Sequence, residues 1–129
     1  MKYHISTTLN TSFDEAIAQV TDVLKEQGFG ILSDIDVQGV FKKKLDVDFK
    51  KYRILGACNP NLAIKAITAE DKIGTMLPCN VLVQEHEEGV VEVSAIDPVA
   101  SMTAVENDEL QPIAAEVRDR LSAAIKQLG

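Results

Sequence analysis

The two cysteines of this chain, each followed by an asparagine, are the residues best equipped for chemistry: Cys58-Asn59 and Cys79-Asn80. A thiol can ionise near neutral pH, attack an electrophile, hold a soft metal or be oxidised. Each pair lies in a segment rich in polar or punctuating residues. One is Tyr52-Arg-Ile-Leu-Gly-Ala-Cys-Asn-Pro60, another is Leu77-Pro-Cys-Asn-Val81, and Ala95-Ile-Asp-Pro98 is of the same kind. Cys58 is expected at the end of a strand and one residue before a helix N-cap, where backbone N–H groups can lower a thiol's pKa. Cys79 is expected to open the next strand. If the two strands run antiparallel, the thiols share an edge of the sheet; if parallel, a strand length of roughly 20 Å separates them.

Each of these residues also has a plainer reading. A free cysteine often behaves as a small buried hydrophobe, and Cys79 precedes Val81 and Val83 on one strand face. Asn59 before Pro60 fits a helix cap with proline at the first helical position. Asp97 before Pro98 can act as an acid or base, or simply stop a strand. Asn80 has no such ready structural explanation. Arg53 lies on the strand leading to Cys58. Together Arg53, Cys58, Asn59, Cys79, Asn80 and Asp97 make a candidate small-molecule or anion site at the strand ends. A soft metal held by Cys58 and Cys79 with Met76 or Met102 is the thiol-based alternative. Zinc bound by four protein ligands is not expected, because no C-x-x-C pair is present and His4 and His86 are isolated. No phosphate-cradling glycine loop, G-x-S-x-G elbow or H-E-x-x-H helix occurs. The residues identify no cofactor.

The elements that must position these residues follow from periodicity. Tyr3, Ile5 and Thr7 alternate with polar residues as in a half-buried strand. Ser12 and Glu15 have capping-box spacing, Phe13, Ile17, Val20 and Leu24 give a helix one apolar face, and Gly28 suits its terminator. Phe29 to Ile35 alternates as a second strand. Val37, Val40, Phe41 and Leu45 switch to helical spacing with lysines opposite. Tyr52 to Ala57 is a strand, and a short helix follows Asn59. Residues 79–85 and 91–95 should pair as an antiparallel hairpin around a turn at His86-Glu87-Glu88-Gly89. A loop follows Asp97-Pro98. Leu110, Ile113, Ala114, Val117, Leu121, Ala124, Ile125 and Leu128 then form a helical stripe. This pattern predicts a two-layer α+β fold: a mainly antiparallel sheet covered on one face by helices, in the order β-α-β(4)-α with short helical insertions.

The length of 129 residues suits one domain spanning 1–129, and 46 % hydrophobic with 26 % charged residues is a globular balance. No apolar run approaches the roughly 20 residues of a membrane span, and no signal-peptide stretch follows Met1. A cytoplasmic protein with reduced thiols is expected. The net charge of −7 opposes binding to nucleic acid or an anionic membrane. Against that field, Lys42, Lys43, Lys44, Lys50, Lys51 and Arg53 crowd together, either holding an anion or forming a solvated surface offset by Asp46 and Asp48.

The three strand-end segments, taken with Gly28-Phe-Gly-Ile-Leu, Phe41-Lys-Lys-Lys-Leu and Ile73-Gly-Thr-Met-Leu, resemble the bacterial and archaeal family known as domain of unknown function 302. The resemblance runs over nearly the whole chain. It implies a TATA-binding-protein-like arrangement of strand, helix, four strands and helix, often found paired, and it implies no reaction.

Three functions are compatible with these features. The first is a non-enzymatic binding module for a small molecule or anion, acting as a homodimer; the absence of any complete catalytic constellation places it first. Next comes a thiol-based redox or soft-metal protein using Cys58 and Cys79. The third is an interaction protein that docks a partner through the segment from Lys42 to Arg53.

Overall fold

Strand alternation and helical stripes resolve into five antiparallel strands ordered β1-β5-β4-β3-β2, in a computed structural model that describes residues 2–128. The elements in chain order begin with β1 (His4–Leu9), α1 (Phe13–Glu26), β2 (Gly30–Asp36), α2 (Val37–Leu45) and β3 (Tyr52–Cys58). They continue with α3 (Pro60–Ala69), a 3₁₀ segment (Asp71–Met76), β4 (Cys79–Glu87), β5 (Val90–Ile96), α4 (Pro98–Ser101) and α5 (Leu110–Leu128). This is the expected α+β order, with α2, α3, the 3₁₀ segment and α4 as the insertions.

The core forms where the apolar stripes of α1 and α5 meet one face of the sheet. Val81, Val83, Val91, Val93 and Ala95 reach zero exposure there, against Val20 and Leu24 of α1 and Leu121 and Ala124 of α5. Each such valine or leucine contributes about 1.5–3 kcal/mol on leaving water. Helix α1 starts where Ser12 Oγ accepts the Glu15 N–H at 3.2 Å, one half of the predicted capping box. It ends before Gly28, whose φ of +86° lies in the left-handed region that favours glycine. A smaller cluster of Ala66, Ile73, Met102, Leu110 and Ala114 closes one end.

The face opposite α1 and α5 is open over most of its area. Register decides which residues lie on it: Ile54 pairs with Leu82 and with Ile35, one step from the buried pair Leu55 and Val81. Helix α2 leans on this face, its Val37, Val40 and Phe41 lining a groove with Ile35, Tyr52 and Ile54.

Two local expectations are corrected. The β4–β5 turn contains only Glu88 and Gly89, because β4 continues through Glu87 with a register shift near Glu85. His86 therefore lies on a strand, 3.0 Å from Glu92 Oε1, rather than in the turn. Beyond β5 the chain does not pass directly into loop. Asp97 Oδ1 accepts N–H groups from Val99 (3.0 Å) and Ala100 (3.4 Å) and starts α4. Among the described residues, no helix is long and apolar enough to cross a membrane.

Candidate functional site

Strands β3 and β4 are hydrogen-bonded antiparallel neighbours, with Ala57 opposite Cys79 and Gly56 opposite Asn80. The end of one strand and the start of the other therefore share a sheet edge. Cys58 and Cys79 line a common pocket there, roofed by α3 and α5. Its walls are apolar: Phe29, Leu62, Ala66, Leu77, Met102 and Val117 are among them. About 40 Å³ is open to the centres of water-sized molecules. One water needs about 10–15 Å³ on that measure, so a few waters or a small apolar group fit.

The two thiols differ in environment. Cys58 is half-buried and Cys79 is buried, and both are free. Burial, and secondarily the neighbouring Cys58, pushes the Cys79 thiol up to about 11. Removing the thiol from water disfavours its charged form, so at neutral pH Cys79 stays protonated. Any nucleophile in this pocket has to be Cys58. Among the described residues, no three His, Cys, Asp or Glu side chains are grouped to hold a metal ion. Met102 lines the pocket with the thiols, whereas Met76, 40 % exposed, is not among the lining residues.

Asn59, 7 % exposed, also borders the pocket, but its side chain is already engaged. Its Oδ1 accepts the Leu62 N–H at 3.3 Å, capping α3, and its Nδ2 donates to the Gln27 carbonyl at 3.5 Å. Arg120 Nη1 donates to the same carbonyl at 3.3 Å. A Cβ on Gly28 would lie 2.9 Å from Asn59 Nδ2, so the glycine leaves room for this bond as well as permitting the turn. The structural explanation of Asn59 is therefore sufficient.

The remaining candidates lie apart. Arg53 sits opposite Val83, away from the Cys79 end of β4, and its Nε donates to Asp34 Oδ1 at 2.6 Å, with a second bond from Nη2 to Oδ2. The guanidinium beside Asp34 holds that carboxyl below its usual range, and the carboxylate in turn raises Arg53. Asp97 is occupied in capping α4, and its neighbour Pro98 reaches the pocket wall. Asn80 is exposed in a hollow of the open sheet face, with Tyr52, Leu82 and Ser94. The six residues thus divide: Cys58, Asn59 and Cys79 meet at the pocket, and Arg53, Asn80 and Asp97 do not join them.

Most of the pocket wall carried no site signal in the sequence. Leu62, Ala66, Leu110, Ala114 and Val117 lie in helical stripes that look like ordinary core faces. Only packing α3 against α5 turns those stripes into a cavity lining.

Residues 5–128 match the model of a family described as "Domain of unknown function DUF302". Among solved structures, the chain is similar to the crystal structure of an uncharacterized conserved protein DUF302 from Bacillus stearothermophilus. The identity is 27 %, the TM-score is 0.92, and 100 % of each chain is covered. No curated protein matches the chain.

Proposed function

The chain belongs to the DUF302 family, described as a domain of unknown function, and from that premise we propose that it is a non-enzymatic module that binds a small molecule. The ligand is a compact apolar group seated between α3, α5 and the β3–β4 edge, with Cys58 as its polar contact. The apolar pocket shared by Cys58 and Cys79 is the observation that carries this reading. An anion in the same place has weaker support, because Arg53 is engaged by Asp34. Xenon is a suitable probe for a small apolar pocket. Methyl NMR of the full chain under xenon pressure should show saturable shifts at Met102, Leu62 and Val117. Shifts that grow linearly with pressure, or none at these methyls, would sink the reading.

A thiol-based function is the second reading, supported by the placement of both cysteines on one pocket. Iodoacetamide added to the folded protein at neutral pH should then alkylate Cys58 and leave Cys79 untouched. If mass analysis finds neither residue labelled until denaturant is added, thiol chemistry is abandoned.

We further propose that the module works as a homodimer in the cytoplasm. The thiol reading requires reduced cysteines, which a reducing compartment maintains. Ile64 and Ile67, 66 % and 45 % exposed one helical turn apart on α3, give self-association an apolar patch beside the pocket.

A further inference from the structure

We propose that the groove between α2 and the open sheet face is a separate site, and that it takes a small amphipathic carboxylate. The apolar body would lie on Phe41, Phe49, Tyr52 and Ile54, with the carboxylate between Lys44 and Lys50. This goes beyond the pocket at Cys58 and shares no lining residue with it.

The floor is apolar, and much of it is uncovered. Ile35, Val37, Val40, Phe41, Phe49, Tyr52 and Ile54 line an open groove of about 430 Å³. Ile35, Val40 and Phe49 remain 48 %, 40 % and 39 % exposed. The aromatic rings form one connected surface, with Phe41 and Phe49 centroids 5.2 Å apart and Phe49 and Tyr52 6.1 Å apart. The first pair is edge-to-face and the second tilted, and such a surface beside branched aliphatics suits an acyl group.

The rim is cationic. Lys50 Nζ lies 6.0 Å from both the Phe49 and the Tyr52 ring centroids, which puts an ammonium at the lip of the groove. Of the lysines expected opposite the apolar face of α2, Lys44 is the exception: it follows Val37, Val40 and Phe41 at helical spacings of seven, four and three, so it shares their face. Lys42 is taken up by Asp46 and Asp48, each at 3.1 Å. Among the described residues, Lys44 and Lys50 form no ion pair, so their charges are available to a ligand.

Charge distribution favours a small anion over other occupants. Residues 34–53 carry six basic side chains against Asp34, Asp36, Asp46 and Asp48, a sum of +2; with −7 for the whole chain, the remainder carries −9. A two-fold pairing through this groove would set the same lysines of two copies against each other. An anionic bilayer would meet the repulsion of the acidic remainder. A small carboxylate meets neither penalty.

The test uses the full chain and three probes with one tail: octanoate, octanol and octylammonium, each titrated by NMR at low salt. Octanoate should shift Val40, Phe41, Phe49 and Tyr52 saturably, and bind about tenfold tighter than octylammonium, with octanol between them. The K44E/K50E double variant, whose exposed positions spare the fold, should weaken octanoate about tenfold and leave octanol unchanged. Equal affinity for all three probes overturns the proposal, as do octanoate shifts confined to Met102 and Leu62. So does a groove whose signals move on dilution alone, which would mark a second copy. Binding to phosphatidylglycerol vesicles without binding to octanoate overturns it equally. Xenon binding at Met102 is a separate readout, so either site can fail without the other.

Discussion

Asn59 ties the start of α3 to the end of α1 by donating its Nδ2 to the Gln27 carbonyl while its Oδ1 caps Leu62. One buried amide thereby satisfies a donor at one helix end and an acceptor at another. Replacing Asn59 with alanine removes both side-chain bonds, leaving the Gln27 carbonyl to Arg120 and the Leu62 N–H to the residue-59 carbonyl, and should cost about 0.5–2 kcal/mol in urea unfolding, the range for losing a helix cap. Asn59→Asp keeps the cap oxygen but loses the donor, so an intermediate loss is expected. Wild-type stability in both variants would show the linkage to be energetically idle.

Cys79 should make the fold alkali-sensitive. Its thiol is held protonated, with the folded pKa at about 11 against an ordinary 9.0. A raised folded pKa means that the stabilisation is fully present below the unfolded value and is lost as pH climbs through the folded one. Between pH 9 and 11 this group alone should remove about 2–3 kcal/mol. Lysines and tyrosines titrate in the same range, so the measurement is the difference between wild type and Cys79→Ala in denaturation at several pH values. Parallel pH profiles for the two proteins would rule the effect out.

Asp34 should behave in the opposite sense, as a carboxylate stabilised by its Arg53 partner. Its contribution is present above the ordinary carboxylate value of 3.8 and fades as pH falls through the lower folded value. Asp34 is 37 % exposed at its side chain, so solvent screening keeps the effect below about 1 kcal/mol. Carbon-detected NMR titration should find the Asp34 midpoint below the usual range in wild type and moved back up in Arg53→Gln. An unmoved midpoint would show that Arg53 is not the cause.

Leu121 is the test of how the two layers adhere. It has no exposed surface and packs in the main core. Leu121→Ala should destabilise by about 2–5 kcal/mol, the range for opening a cavity in a packed interior. Thermal unfolding of this variant within a degree of wild type would contradict the packing described.

Self-association through α3 can be tested without touching the pocket. If Ile64 and Ile67 form the contact, sedimentation equilibrium should find a dimer in wild type and a monomer in Ile67→Glu. A wild-type monomer at all concentrations removes the homodimer from the proposal.

Local rules carried much of the fold. The polar–apolar alternation of β4 and β5, the stripes of α1 and α5, and the signals at Ser12, Gly28, Asn59 and Asp97 depend on neighbours within a few residues. They are therefore written in the chain itself. The 3₁₀ segment and α4 were less visible, since six- and four-residue helices are too short to establish a period. So was the end of β4, where a register shift lets His86 and Glu87 stay in the sheet.

The candidate site divides along the same line. That Cys58 and Cys79 stand at strand ends followed from the sequence, as did the capping role open to Asn59. Whether the thiols meet depended on β3 and β4 being antiparallel neighbours, and strand order is a long-range property that spacing does not encode. The alternation of β4 already set Asn80 on the face away from Val81. Packing decided that Arg53 is spent on Asp34 and that α3 and α5 close an apolar pocket. The physical reason is that helix and strand periods are set by backbone geometry over a few residues. A cavity, an ion pair between strands or an uncovered groove exists only once residues far apart in the chain share the same space.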